Sequence, residues 1–184
     1  MATDGPPCAQ MMAALMAFTS GAAFVLQIIG VSSDEWYNNK TTDEHFGLFR
    51  DCPLGESGCK TRTLNSDEEA AAAVSIIALV ATGFYFVYSM LHACGRYKQM
   101  EQIARVITIF IATGGSIGAW TIMTIEHEAH KDESHFEVRS GSILYGIGAF
   151  LTALLLFGEA IMSCHLGTNN SYAPVVLIQR EGGM

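Results

Sequence analysis

Charge is what this chain has least of. Only 15% of its 184 residues are Asp, Glu, Lys or Arg, against roughly 25% in an ordinary soluble domain. Bases are scarcer still, with 10 Lys and Arg against 18 Asp and Glu, a formal net charge of −8. That shortage excludes a nucleic-acid partner, whose phosphates must be met by Lys and Arg. No C-x-x-C pair is present, which removes the dithiol that a membrane redox enzyme would need. Neither a Ser/His/Asp set nor a Gly-rich phosphate motif can be placed on a rigid element, and the Cys-Cys-Gly of tetraspanins is missing. The chain is therefore not expected to be an enzyme or to carry a cofactor. Apolar residues, at 50%, are abundant enough to exclude disorder.

The few charges are clumped. Ser32 to Glu69 carries nine acids and four bases, a balance of −5, and Glu126 to Gly141 carries five acids and two bases, a balance of −3. Those two segments hold the whole excess, and the remainder is neutral. Between them lie four apolar runs at 9–31, 70–93, 106–125 and 142–163, of which only the last contains a charge, Glu159. At ~1.5 Å per residue each reaches ~30 Å or more, the thickness of a hydrocarbon core. Four such runs in so short a chain leave no water-facing surface to cover them. They predict four membrane spans in a single domain over 1–184, with loops 32–69 and 126–141 on one side and both termini, including the tail 164–184, on the other. The first run has no basic segment before it and no small-residue cleavage site after it, so it is expected to stay as a span.

Counting Lys and Arg gives four on the termini side and six on the loop side, which by the positive-inside rule would put the loops in the cytoplasm. The cysteines argue the other way. Cys52 and Cys59 lie together in the first loop, where a pair suits a disulfide in an oxidising compartment. Cys8, Cys94 and Cys164 fall at span ends on the opposite side and suit palmitoylation, a cytoplasmic modification. The sequon Asn39-Lys40-Thr41 adds a glycosylation site to the first loop. On this reading the termini are cytoplasmic and the loops lie outside a plasma membrane.

Within the first loop, 46–49 and 60–64 read as short strands around a turn-rich 53–58. Trp36 and Tyr37 fit an aromatic anchor at the membrane interface. Trp36, then Gly47-Leu48-Phe49, then Cys52 and Cys59 resemble the W…GLW…C…C signature of the claudin superfamily, which includes peripheral myelin protein, epithelial membrane proteins and calcium-channel gamma subunits; Phe49 stands where Trp is usual. The topology resembles that superfamily along nearly the whole chain. The resemblance implies a left-handed four-helix bundle capped by an extracellular antiparallel sheet from the first loop, a Cys52–Cys59 bond, and Trp36 and Leu48 packed at the membrane face of the sheet. It further implies one of two functions. The first is cell–cell contact, by adhesion or by a paracellular barrier in which Asp34, Glu35, Asp43, Glu44 and Asp51 favour cations. The second is an auxiliary, gamma-like subunit of an ion channel. Expected partners are membrane lipid and either further copies of the chain or a larger membrane protein.

Three features of the spans and second loop complete the reading. Glu159 is expected to snorkel or to pair with His92 or Arg96, with contact to a partner subunit as the alternative. Gly114 and Gly118 form a G-x-x-x-G expected to pack inside the bundle rather than to face a second copy, as do Gly141, Gly146 and Gly148. His127, His130 and His135 with Glu126 and Glu128 follow no zinc spacing and read as a solvated loop rather than a metal site.

Overall fold

The structure is a computed structural model and describes residues 7–39, 44–53, 60–61, 65–94, 99–129 and 136–170. Among these, four long helices are joined by five short strands. The order is α1 (Pro7–Ser32), β1 (Tyr37–Asn39), β2 (Glu44–Phe46), β3 (Arg50–Pro53), β4 (Lys60–Thr61), α2 (Ser66–Ala93), α3 (Gln99–Ala129), β5 (Phe136–Val138) and α4 (Ser140–Asn170). All four helices are long and apolar enough to cross a membrane. Each runs past its charge-free run, because a helix ends where its caps are and not where its charges begin. α2 shows this best: Asn65 accepts from the backbone N–H of Asp67 and Glu68, and the Glu68 side chain accepts from the N–H of Asn65. That reciprocal cap starts the helix at Ser66, so Asp67, Glu68 and Glu69 form its first turn and do not belong to the loop.

The bundle is built inside out relative to a soluble one. Its interior holds small and polar side chains: Ala13, Ala23, Ala71, Ala78 and Ala112 pack beside Ser20, Gln27, Thr82, Ser116 and Thr152, all buried. The bulky apolar side chains point outward, with Phe18, Phe110 and Phe157 more than half exposed. Small residues let backbones approach and polar ones bond across helices, which is how helices associate in lipid, where apolar contact between helices gains nothing over contact with acyl chains. α1 and α2 interlock through a reciprocal pair, a Cβ on Gly21 meeting the ring of Phe86 and one on Gly83 the ring of Phe24, both at 3.0 Å. α1 and α4 also pack tightly. A Cβ on Gly30 would lie 2.7 Å from Cβ of Tyr145, and one on Gly148 would lie 2.8 Å from Cγ of Gln27.

Gly141, Gly146 and Gly148 pack inside as expected, but Gly114 and Gly118 do not. Nothing lies within 4 Å of a Cβ at either position. The inward glycine of that stretch is Gly115, set against Ala78 of α2 at 3.0 Å. One residue turns a helix by about 100°, so the neighbour of a G-x-x-x-G pair can carry the packing while the pair itself looks out.

The strands form one antiparallel sheet in the order β4-β3-β2-β1-β5. Three expectations about it are corrected. The extended segment expected at 46–49 stops at Phe46, and Gly47-Leu48-Phe49 make the turn into β3, closed by the Gly47 N–H donating to the carbonyl of Arg50 at 2.8 Å. Pro53 ends β3 instead of opening the turn. The sheet does not come from the first loop alone: β5 of the second loop pairs with β1, Tyr37 opposite Val138 and Asn39 opposite Phe136.

Candidate functional site

The site is built from the junction between sheet and bundle upward. The chain leaves α1 at Ser32 and enters β1 within five residues, so the first side chains past the helix land on the bundle's open end. Trp36 and Leu48 are completely buried and Tyr37 nearly so. Trp36 donates its indole N–H to the carbonyl of Gly30 and packs against Tyr145, ring centroids 5.3 Å apart. Tyr37 donates its hydroxyl to the carbonyl of Met123 in α3 at 3.0 Å. With Val31, Ala71, Ala72, Ala119 and Met123 they make one apolar cluster reaching all four helices. The interfacial aromatic anchor expected of Trp36 and Tyr37 is therefore corrected. Both rings plug the bundle end, because donors on both find backbone carbonyls there.

Gly47 is required by that junction. A Cβ at this position would sit 2.7 Å from the carbonyl oxygen of Ser33 and 2.8 Å from Cα of Asp34. The close approach turns Leu48 inward and leaves Phe49 partly exposed at the rim. The backbone around the start of α4 is tied in as well. The Arg139 N–H donates to the carbonyl of Trp36 and that of Gly141 to Glu35, both at 2.9 Å. A sheet seated by buried aromatics and backbone bonds is fixed relative to the helices.

Of the five acids singled out, Glu35 is exposed and accepts a bond from the Ser140 hydroxyl at 3.2 Å, and Asp34 is half-buried. Glu44 lies in β2 opposite Asn39 and Pro53, and Asp51 lies in β3 opposite Phe46 and Lys60. Asp43 lies outside the described residues. Asn39 stands in β1 between β2 and β5. Cys52 of β3 is disulfide-bonded, and Cys59 lies outside the described residues. Cys94 caps α2 as an exposed free thiol, while Cys8 and Cys164 lie near the same-side ends of α1 and α4. His127 falls within α3, and His130 and His135 lie outside the described residues. Among the described residues, no three His, Cys, Asp or Glu converge as metal ligands.

The expectation for Glu159 is corrected most. It is 2% exposed and its carboxylate faces inward. Arg105 Nε lies 2.7 Å from Oε1 and its terminal nitrogen donates to Oε2 at 3.0 Å, while the Tyr85 hydroxyl donates to Oε1 at 2.8 Å. α2, α3 and α4 thus meet on one carboxylate, whose described partners are Arg105 and Tyr85; Arg96 lies outside the described residues. Removing a charge from water costs several kcal/mol unless geometry and bonding offset it, and this two-point clasp supplies both. Arg105 was the missed residue. It sits one position before the third charge-free run, at the same termini-side end of the bundle as Glu159, and that shared end was the available signal. A second polar knot lies nearer the sheet. Gln27 donates to Ser116 at 2.8 Å and accepts from Thr82 at 2.9 Å, joining α1, α2 and α3.

No protein-family model matches the chain, and no curated relative is found for it.

Proposed function

We propose that the chain is a claudin-like, multi-pass plasma-membrane protein with cytoplasmic termini and an extracellular sheet, acting at cell–cell contacts through its acidic outer face. The observation that supports this best is the seating of the sheet. Trp36 and Leu48 lie buried at its root beside a turn that needs Gly47, which is what the W…GL…C…C resemblance implies. Cys52 and Cys59 form the bond that closes the β3–β4 hairpin in this reading. Asn39 carries a glycan, and Cys8, Cys94 and Cys164 are acylated on the inner side. No cofactor and no catalytic step are involved.

The acids give the function its sign. Fixed negative charge raises the concentration of cations within a Debye length of ~8 Å, and in this reading Asp34, Glu35, Asp43, Glu44 and Asp51 act together. In an epithelial monolayer expressing the protein, the five-fold substitution to Asn and Gln lowers the sodium-to-chloride permeability ratio at equal surface expression. An unchanged ratio contradicts cation selectivity. The second reading is an auxiliary channel subunit, favoured by the sequon, because a glycan on Asn39 crowds side-by-side assembly. Affinity purification without crosslinker separates the two. Recovery of the chain with itself or like proteins supports contact function, and stoichiometric recovery of a pore-forming subunit supports the auxiliary role.

A further inference from the structure

A groove of about 460 Å³ runs along the outside of the bundle between α3 and α4. Val106 and Phe110 line it from α3, Ala153, Phe157 and Ala160 from α4, and Glu159 reaches into its lining. Phe110 and Phe157 stand 60% and 67% exposed at its rims, and the alanines leave the space between them unfilled. The two helices run antiparallel here, Arg105 beside Glu159 and Thr113 beside Thr152. Val106, Glu159 and Ala160 therefore mark the shallow end, close to the termini-side end of the α4 span at Met162. Phe110 and Ala153 mark the deep end, about 9 Å nearer the bilayer middle at the helical rise per residue.

The outer surface of a membrane span is covered by lipid, and an ordinary acyl chain gains nothing by lying in this groove rather than elsewhere. Selective occupation needs two properties that bulk lipid lacks. The first is rigidity. A fused-ring body loses almost no conformational freedom on docking, whereas a flexible chain must be ordered. The volume falls within the ~300–1,000 Å³ of small-molecule sites. The second is a neutral donor for the carboxylate. Oε1 of Glu159 faces the Tyr85 hydroxyl and Arg105 Nε, while Oε2 accepts one bond, from Arg105. An ionised carboxylate offers about four acceptor sites, so one is left, at the end of the groove where a lipid's polar group meets the hydrocarbon. Its charge is already matched by Arg105, which favours a hydroxyl there over an ammonium or a phosphate.

We propose that the groove between α3 and α4 binds one sterol, its ring system between Phe110 and Phe157 and its hydroxyl donating to Glu159. This rests on the membrane spans and not on the contact reading. The test reconstitutes the purified full-length chain in phosphatidylcholine vesicles carrying a photoactivatable cholesterol analogue. Saturable labelling is expected on the stretches of α3 and α4 that line the groove. Ala160→Leu, which fills it, and Phe157→Ala, which removes a rim, each lower labelling at least fivefold. Phe84→Ala, on the exposed face of α2, leaves it unchanged. Excess cholesterol competes for the site in the unsubstituted chain, and its methyl ether, which has no donor, competes at least tenfold less. An ether that competes equally overturns the proposal, because Glu159 then contributes nothing to recognition. Labelling that never saturates, or that maps outside α3 and α4, is ordinary boundary lipid and overturns it too. So does disulfide crosslinking of two copies through Ala160→Cys without sterol labelling, which assigns the groove to a second copy.

Discussion

Glu159 is a buried charge, and each of its oxygens is committed to a residue of another helix. Deleting one charge of a buried pair leaves the other unpaired, at a cost of about 3–5 kcal/mol. Glu159→Leu and Arg105→Met should each lower the thermal midpoint in detergent by many degrees. The double variant should recover most of the loss, since a well-packed apolar pair is often neutral relative to the ions it replaces. Equal loss in single and double variants would show that packing, not charge, is what these positions supply. Trp36 is the comparable residue at the other end. Its truncation to Ala removes a fully buried ring from the cluster under the sheet, and large core truncations of this kind cost about 3–5 kcal/mol. Its near-UV signal should vanish together with sheet order.

At the scale of elements, the helices are held at distances that their glycines permit. A Cβ on Gly30 meets both the side chain and the backbone of Tyr145, at 2.7 and 2.8 Å, so α1 and α4 must separate to admit it. Gly30→Ala is expected to destabilise by about 1–3 kcal/mol through overpacking. Gly114→Ala, with open space around it, should be neutral or stabilise by up to about 1 kcal/mol through helix propensity. Thermal unfolding of the two variants checks this, and equal effects would mean that the α1–α4 crossing does not set the stability. The same elements show what the sequence made legible. Four long helices follow from where the charges stop, since charge-free length is a direct consequence of hydrocarbon thickness. Their starts do not, because caps such as Asn65 with Glu68 are local hydrogen bonds laid inside an acidic run. Nor does β5, three residues whose only warrant is the open edge of β1 from a distant part of the chain. The turn at Gly47-Leu48-Phe49 read as a strand because its alternation of apolar residues reflects burial of Leu48 against the bundle rather than a pleat.

Over the whole molecule, the sorting of residues follows two solvents. Bulky apolar side chains face outward along the helices, small and polar ones face in, and the acidic excess collects with the sheet at one end. The candidate site was legible in its parts, with Trp36, Gly47, Leu48 and the acids all identifiable from spacing. The Arg105–Glu159–Tyr85 clasp was not, because it joins three helices at 54 and 74 residues' separation and a charge at the edge of a span reads as interfacial until its partner is known. Moving Arg105 into the bundle leaves three interfacial bases on the termini side against six on the loop side, so the Lys and Arg count still runs against the orientation proposed from the cysteines and the sequon. The proposed orientation puts the sheet and its acids on the outside of the cell. Epitope insertion at 54–58 and at either terminus, stained in intact and permeabilised cells, tests it directly. The 54–58 tag is expected to stain intact cells, and the terminal tags only after permeabilisation. Terminal tags that stain intact cells, with a loop tag that does not, would contradict it.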